Sequence, residues 1–146
     1  MAHRETTQEV MDCLHEVFKL ETSGIIRYLH YSFMIMGHHR IPIQKWFRAQ
    51  AQETMDHSIT IGEAITSYGG HPPALAGNVE ETNVHSVNQM LEECMNYEQQ
   101  AIDLYKKLLK LAEQTEDIAL EEMAREFIRD ETEHTDEVKK MLRFEK

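Results

Sequence analysis

The chain has 146 residues, room for one domain spanning 1–146 with a real core, and a formal net charge of −11. That acidity argues against nucleic acid or an anionic membrane as partner and suits a protein that draws cations to itself. Six Gly and three Pro leave few breaks, so the Leu, Met, Glu, Gln, Lys and Ala content predicts a few long helices. The two cysteines, Cys13 and Cys94, lie far apart without a Cys-x-x-Cys, which excludes a thiolate-held zinc or iron centre. Both fall on apolar stripes and are expected to be buried free thiols in a reducing compartment. No signal-peptide stretch and no run of roughly 18 apolar residues occurs, so the expectation is a soluble, cytoplasmic protein.

Four helical patterns follow in order. The first runs from about Thr6 to Met36, with Val10, Leu14, Phe18, Ile25, Tyr28, Ser32 and Ile35 on one face. Thr6 or Thr7 can cap it, with Glu9 following as in a capping box. The Gly37-His38-His39 turn, expected to be a solvated loop, leads to Pro42, which suits a first helical turn. The second helix runs from about Pro42 to Tyr68, with Ile43, Phe47, Ile61, Ala64 and Tyr68 inward, and Gly69-Gly70-His71-Pro72-Pro73 ends it. About fifteen residues, through Asn83, then connect to the third helix. A connection that long can carry the chain from one end of a bundle to the other, leaving helices two and three parallel. The third covers about Val84 to Glu113, with Val87, Leu91, Cys94, Ala101, Tyr105 and Leu109 inward. After a turn at Gln114 to Asp117 the fourth runs to about Arg143, with Leu120, Ala124, Phe127, Val138 and Met141 inward. The fold class predicted is all-α: two antiparallel helical hairpins joined by a long crossover.

Each apolar face is interrupted by polar residues. They are Glu21 in the first helix, Gln50, Thr54 and His57 in the second, Glu98 in the third, and Glu131 and His134 in the fourth. Glu-x-x-His on a core face is a local signature of a carboxylate-bridged metal site inside a bundle. From Glu21 to Thr54 is 33 residues, and from Glu98 to Glu131 is again 33, so the hairpins read as copies. A lone Glu or His on a core face is ordinarily a hydrogen-bonded buried polar group. Five at matching heights, with a repeated spacing, point instead to metal ligands.

At this point the Glu53-Thr54-Met55-Asp56-His57 run, the Gly-Gly-His-Pro-Pro turn and the Glu131-x-x-His134 helix resemble the ferritin-like superfamily, nearest to bacterioferritins and related bacterial di-iron proteins. The likeness spans essentially the whole chain. It implies a ferritin-like four-helix bundle in which Glu21, His57, Glu98, Glu131 and His134 bind two irons, with Tyr28 close by. It also implies that Met55 occupies the register where bacterioferritins ligate a haem at a twofold interface. Bacterioferritin-like subunits usually end in a short fifth helix, and none is expected here after the fourth. One position departs from the pattern: the bridging Glu of helix two is Thr54. Glu53 does not replace it, because neighbours on a helix point roughly 100° apart.

Three carboxylates and two imidazoles suit Fe(II), Mn(II) or zinc, iron being the choice by resemblance. With only three carboxylates against two dications the site is one positive charge from neutral, which a bridging water, hydroxide or exogenous anion bonded to the Thr54 hydroxyl can offset. Gln50 and Tyr28 are expected behind the ligands, and Asp56 and Asp130 nearer the rim. The expected activity is oxidation of Fe(II) by O2 or H2O2, in iron homeostasis or peroxide detoxification. The rivals are a metal- or haem-binding bundle without turnover, favoured by Thr54, and a structural bundle with vestigial ligands. A homo-oligomer, at least a dimer through the outer faces of helices one and two near Trp46 and Met55, is also expected.

Overall fold

The computed structural model describes residues 3–143. Among them are four helices and no strand: α1 (Gln8–Met34), α2 (Arg40–Ser67), α3 (Val87–Gln114) and α4 (Ile118–Met141). The ends follow local caps. Thr7 accepts a hydrogen bond from the Val10 amide at 3.2 Å and starts α1. The residue three places after this cap is Val10, so no capping box forms; Glu9 instead lies in the first turn, where the helix dipole favours it. Ser86 caps α3 by accepting from Gln89, so that helix begins after Val84, and Asp117 caps α4 by accepting from Leu120. Pro42 falls in the first turn of α2, where its missing N–H has no partner to lose.

Arg4 ties one end together. Its amide donates to the Ser67 carbonyl at 2.8 Å and its guanidinium pairs with Asp117 at 2.9 Å, so the start of α1, the end of α2 and the start of α4 meet there. At the other end, Ile35, Gly37, Ile43, Val87 and Met141 line a shared cavity. Hence α1 is antiparallel to α2, α3 is antiparallel to α4, and α2 and α3 run parallel, joined by the crossover over residues 68–86. The crossover is fastened to α1 where the Gly77 amide donates to the Lys19 carbonyl at 2.9 Å; a Cβ there would press on that oxygen at 2.8 Å.

Apolar side chains form two clusters. One, toward the Arg4 end, holds Val10, Leu14, Val17, Ile61, Ile65, Tyr105, Leu108, Leu120, Ala124 and Phe127. The other holds Tyr28, Ile35, Phe47, Met90, Leu91, Cys94, Tyr97 and Val138. On α1 the buried stripe passes through Val17, Glu21 and Gly24; Phe18 and Ile25, expected inward, are only half-buried and line an outer groove with Met55 and Ile59. A step of three from Leu14, where four was read, accounts for the shift. Cys13 and Cys94 are buried and free, and burial holds both thiols well above their usual range. Between the clusters lies a buried polar layer.

Candidate metal centre

That layer holds Glu21, Gln50, Thr54, His57, Glu98 and Glu131, all buried, with His134 at its edge. Burying so many polar groups mid-core is costly unless each finds a partner. The carboxylates and imidazoles converge. His57 Nδ1 lies 3.3 Å from Glu21 and 3.1 Å from Glu131; His134 Nδ1 lies 3.5 Å from Glu131 and 4.0 Å from Glu98. Three groups of donors each fall within 4.8 Å: Glu21–His57–Glu131 and Glu98–Glu131–His134, which share Glu131, and Glu53–His57–Asp130 on the outer side. All five residues that the sequence singled out as ligands therefore stand together, facing one another rather than water.

The outer nitrogens of the imidazoles are held from the opposite hairpin. His57 Nε2 donates to Asp130 of α4 at 3.1 Å, and His134 Nε2 donates to Glu53 of α2 at 2.6 Å. A cation taking the place of the Nδ1 proton would leave each ring as the Nε2–H tautomer with its Nδ1 lone pair directed inward, the arrangement of a metal-binding histidine backed by a carboxylate. Asp130 sits near the rim as expected. Glu53 lies off the inner stripe and does not enter the ligand layer, yet its long side chain reaches His134 across the α2–α4 seam. Asp56 does not join: it is exposed and accepts from Gln52 at 3.1 Å, because it points about 100° away from His57.

A fit test lies in the unpaired atoms. Glu21 Oε2, Glu98 Oε2, His57 Nδ1 and His134 Nδ1 are all buried and have no hydrogen bond of proper geometry. Each such atom costs about 1–3 kcal/mol if nothing ever meets it, and these four are the atoms that cations bound between the helices would use. Titration agrees. Burial raises Glu21 to about 7 and Glu98 to about 8. Burial alone would depress both imidazoles, but the neighbouring carboxylates of Glu131 and Glu21 lift His57 to about 11, and those of Glu131 and Glu53 lift His134 to about 10. Glu131, although buried, is held below the ordinary carboxylate range by the two histidines. Protons thus occupy the centre in the form described, and cations would displace them.

Tyr28 donates to Glu98, as its expected place near the centre requires. Tyr105 is its counterpart: Tyr28 and Tyr105 are 77 residues apart, as are Glu21 and Glu98, Glu53 and Asp130, and His57 and His134. Sequence reasoning placed Tyr105 in the apolar core; the same offset would have marked it as a site residue. The Tyr105 hydroxyl is buried beside Glu21 without a hydrogen bond of proper geometry. Thr54 is buried, but its hydroxyl donates to the Gln50 main-chain oxygen at 2.8 Å and so turns its proton toward its own helix. Met55 is 41 % exposed on the outer face of α2, away from the layer.

A family model, the ferritin-like domain, matches residues 11–146. Among solved structures, the chain is similar to a ferritin-like, diiron-carboxylate protein of Bacillus anthracis str. Ames at 26 % identity and a TM-score of 0.88, over 93 % of this chain and 96 % of that one. It is also similar in fold to a bacterioferritin of Rhodobacter capsulatus, described with a metal-free dinuclear site and a haem iron, at 20 % identity and a TM-score of 0.85, over 95 % of this chain and 86 % of that one. No curated protein matches the sequence. With its helical hairpins, its crossover and a family match over nearly its full length, the chain belongs to the ferritin-like domain family.

Proposed function

We propose that the protein binds two iron ions in the buried polar layer and oxidises Fe(II) there with H2O2 or O2. The observation that carries this reading is the set of four buried, unpaired donor atoms around Glu131. Glu21, His57 and one oxygen of Glu131 would hold one ion, and Glu98, His134 and the other oxygen of Glu131 the second. When bound, two Fe(II) ions supply the two electrons that, with two protons, reduce one H2O2 to two waters. The protein's part is to position and to manage protons. Glu131 sets the spacing of the two places, while Asp130 and Glu53 lock the imidazoles with their lone pairs inward. The apolar clusters on either side keep bulk water from the layer. Iron is preferred to manganese or zinc because the diiron-carboxylate relative has the same fold with a quarter of its sequence in common.

A second reading, metal binding without turnover, is favoured by Thr54, which puts a back-bonded hydroxyl where a second bridging carboxylate would stand. Anaerobic Fe(II) loading followed by addition of oxidant separates the two. Two irons per chain and a growing near-ultraviolet charge-transfer band support oxidation, metal without the band supports the second reading, and no metal under any loading sinks both. A haem on Met55 is tested in the same samples by a Soret band.

We assign the protein to the cytoplasm; among the described residues no helix is long and apolar enough to cross a membrane. Ile26, Leu29 and Phe33 of α1 and Met55 and Ile59 of α2 leave exposed apolar surface on the outer face of the first hairpin, which supports pairing of two copies there. Sedimentation of the Phe33→Glu variant tests it: a monomer where the wild type is a dimer is the expected result.

A further inference from the structure

Gln50 stands on the inner stripe of α2, one turn before Thr54. It is only 7 % exposed, and its Oε1 is buried with no hydrogen-bond partner. A leucine would fill similar space without the cost of an unpaired carbonyl, about 1–3 kcal/mol. The repeat indicates which half of the layer Gln50 belongs to. The matching place in the second hairpin, 77 residues on, is Phe127, whose ring stacks on His57 with centroids 4.0 Å apart. By that offset, Gln50 belongs to the His134 side of the layer as Phe127 belongs to the His57 side. Thr54 is not available for the same task, because its proton goes to the Gln50 main-chain oxygen and its methyl group lies toward Gly24.

We propose that Gln50 Oε1 is a neutral fourth donor at the Glu98–Glu131–His134 position, filling the place that the missing carboxylate at 54 leaves open. The proposal rests on the reading of the layer as a two-metal site. An amide oxygen suits a hard or borderline dication and adds no charge. The Glu21–Glu131–His57 position has the Phe127 ring in the equivalent place and keeps three protein donors. The two positions are therefore unequal, with the Gln50 side the tighter.

Anaerobic titration calorimetry of the full chain with Co(II), followed by absorption in the visible, tests this. The wild type is expected to take two equivalents in two distinct steps. Gln50→Leu weakens the tighter step about tenfold, so that the steps converge. Its metal-free melting temperature stays level or rises, since an unpaired buried oxygen has been removed. Gln50→Glu strengthens the same step about tenfold, by the charge it adds. Unchanged steps in both variants, with both equivalents lost in Glu131→Ala, overturn the role of Gln50 and leave the two-metal reading standing. A lower melting temperature for Gln50→Leu with unchanged steps assigns Gln50 to structure alone and also overturns the proposal. Failure of the wild type to bind Co(II) removes the two-metal reading itself.

Discussion

The first hairpin offers Glu21, Thr54 and His57 to the polar layer, and the second offers Glu98, Glu131 and His134. Around them the two halves agree: a carboxylate one residue before position 54 or 131 holds the other hairpin's histidine, and a tyrosine seven residues after the first-helix or third-helix Glu stands by the other hairpin's Glu. They differ at the bridge. Glu131 touches both histidines, while Thr54 bonds back to its own helix. The difference teaches that the two halves need not match at positions 54 and 131 for the remaining carboxylates and imidazoles to converge. Glu131 alone then touches both histidines.

The hardest way to break the comparison is to remove that bridge. Glu131→Ala leaves both imidazoles without the inner partner they share, and binding of both metal equivalents is expected to be lost, beyond the roughly 100-fold typical of outer residues. Calorimetry reads it directly. Thr54→Glu should restore the symmetry: metal affinity rises by about tenfold or more, and the metal-free protein is destabilised by about 1–3 kcal/mol because another buried carboxylate lacks a partner. No gain in affinity would mean that position 54 does not face the metals. Glu53→Gln and Asp130→Asn form a matched pair, each expected to weaken one equivalent about tenfold. Unequal losses between the two would measure how far the asymmetry spreads beyond the bridge.

The smallest effect is a slope with pH. His57 and His134, lifted to about 11 and 10 from 6.5, keep protons that the unfolded chain has released. Their contribution to stability is full below pH 6.5 and fades as pH climbs toward 10 or 11. Glu21 and Glu98, raised to about 7 and 8, act with the same sign at lower pH. The metal-free protein is therefore expected to melt at lower temperature as pH rises from 6 to 9. Loading expels those protons, so metal affinity should rise over the same range. Thermal melts with and without chelator check both signs.

Much of this was legible in the chain, for a definite reason. A carboxylate or imidazole on a stripe of Leu, Val and Phe interrupts a strong periodic signal, so Glu21, Glu98 and Glu131 announce themselves. The helices follow from the same periodicity, with ends no more than three residues from where the pattern placed them. What the pattern could not convey was reach. Glu53 lies off the inner stripe, and helical offset gives a direction but not the length of a side chain bending toward another helix. Tyr105 hid because a tyrosine among apolar neighbours reads as core, although its offset from Tyr28 repeats that of Glu98 from Glu21. Nor could periodicity tell a hydroxyl facing metals from one turned to its own backbone, which is the case at Thr54.

The crossed pairs Glu53–His134 and Asp130–His57 have a mechanical consequence. Backbones approach closely between α1 and α2, α3 and α4, and α1 and α3, but not comparably between α2 and α4. The molecule is thus held backbone to backbone along one edge, like a book along its spine, while its fore-edge is closed by side chains, the two imidazole clasps and the Phe127 ring stacked on His57 among them. Along that edge Glu53 and Asp130 are 37 % and 28 % exposed at their side chains, so the outer ends of both clasps meet solvent. Loading the centre should latch the fore-edge, and amide exchange in α2 and α4 should slow more than in α1 and α3.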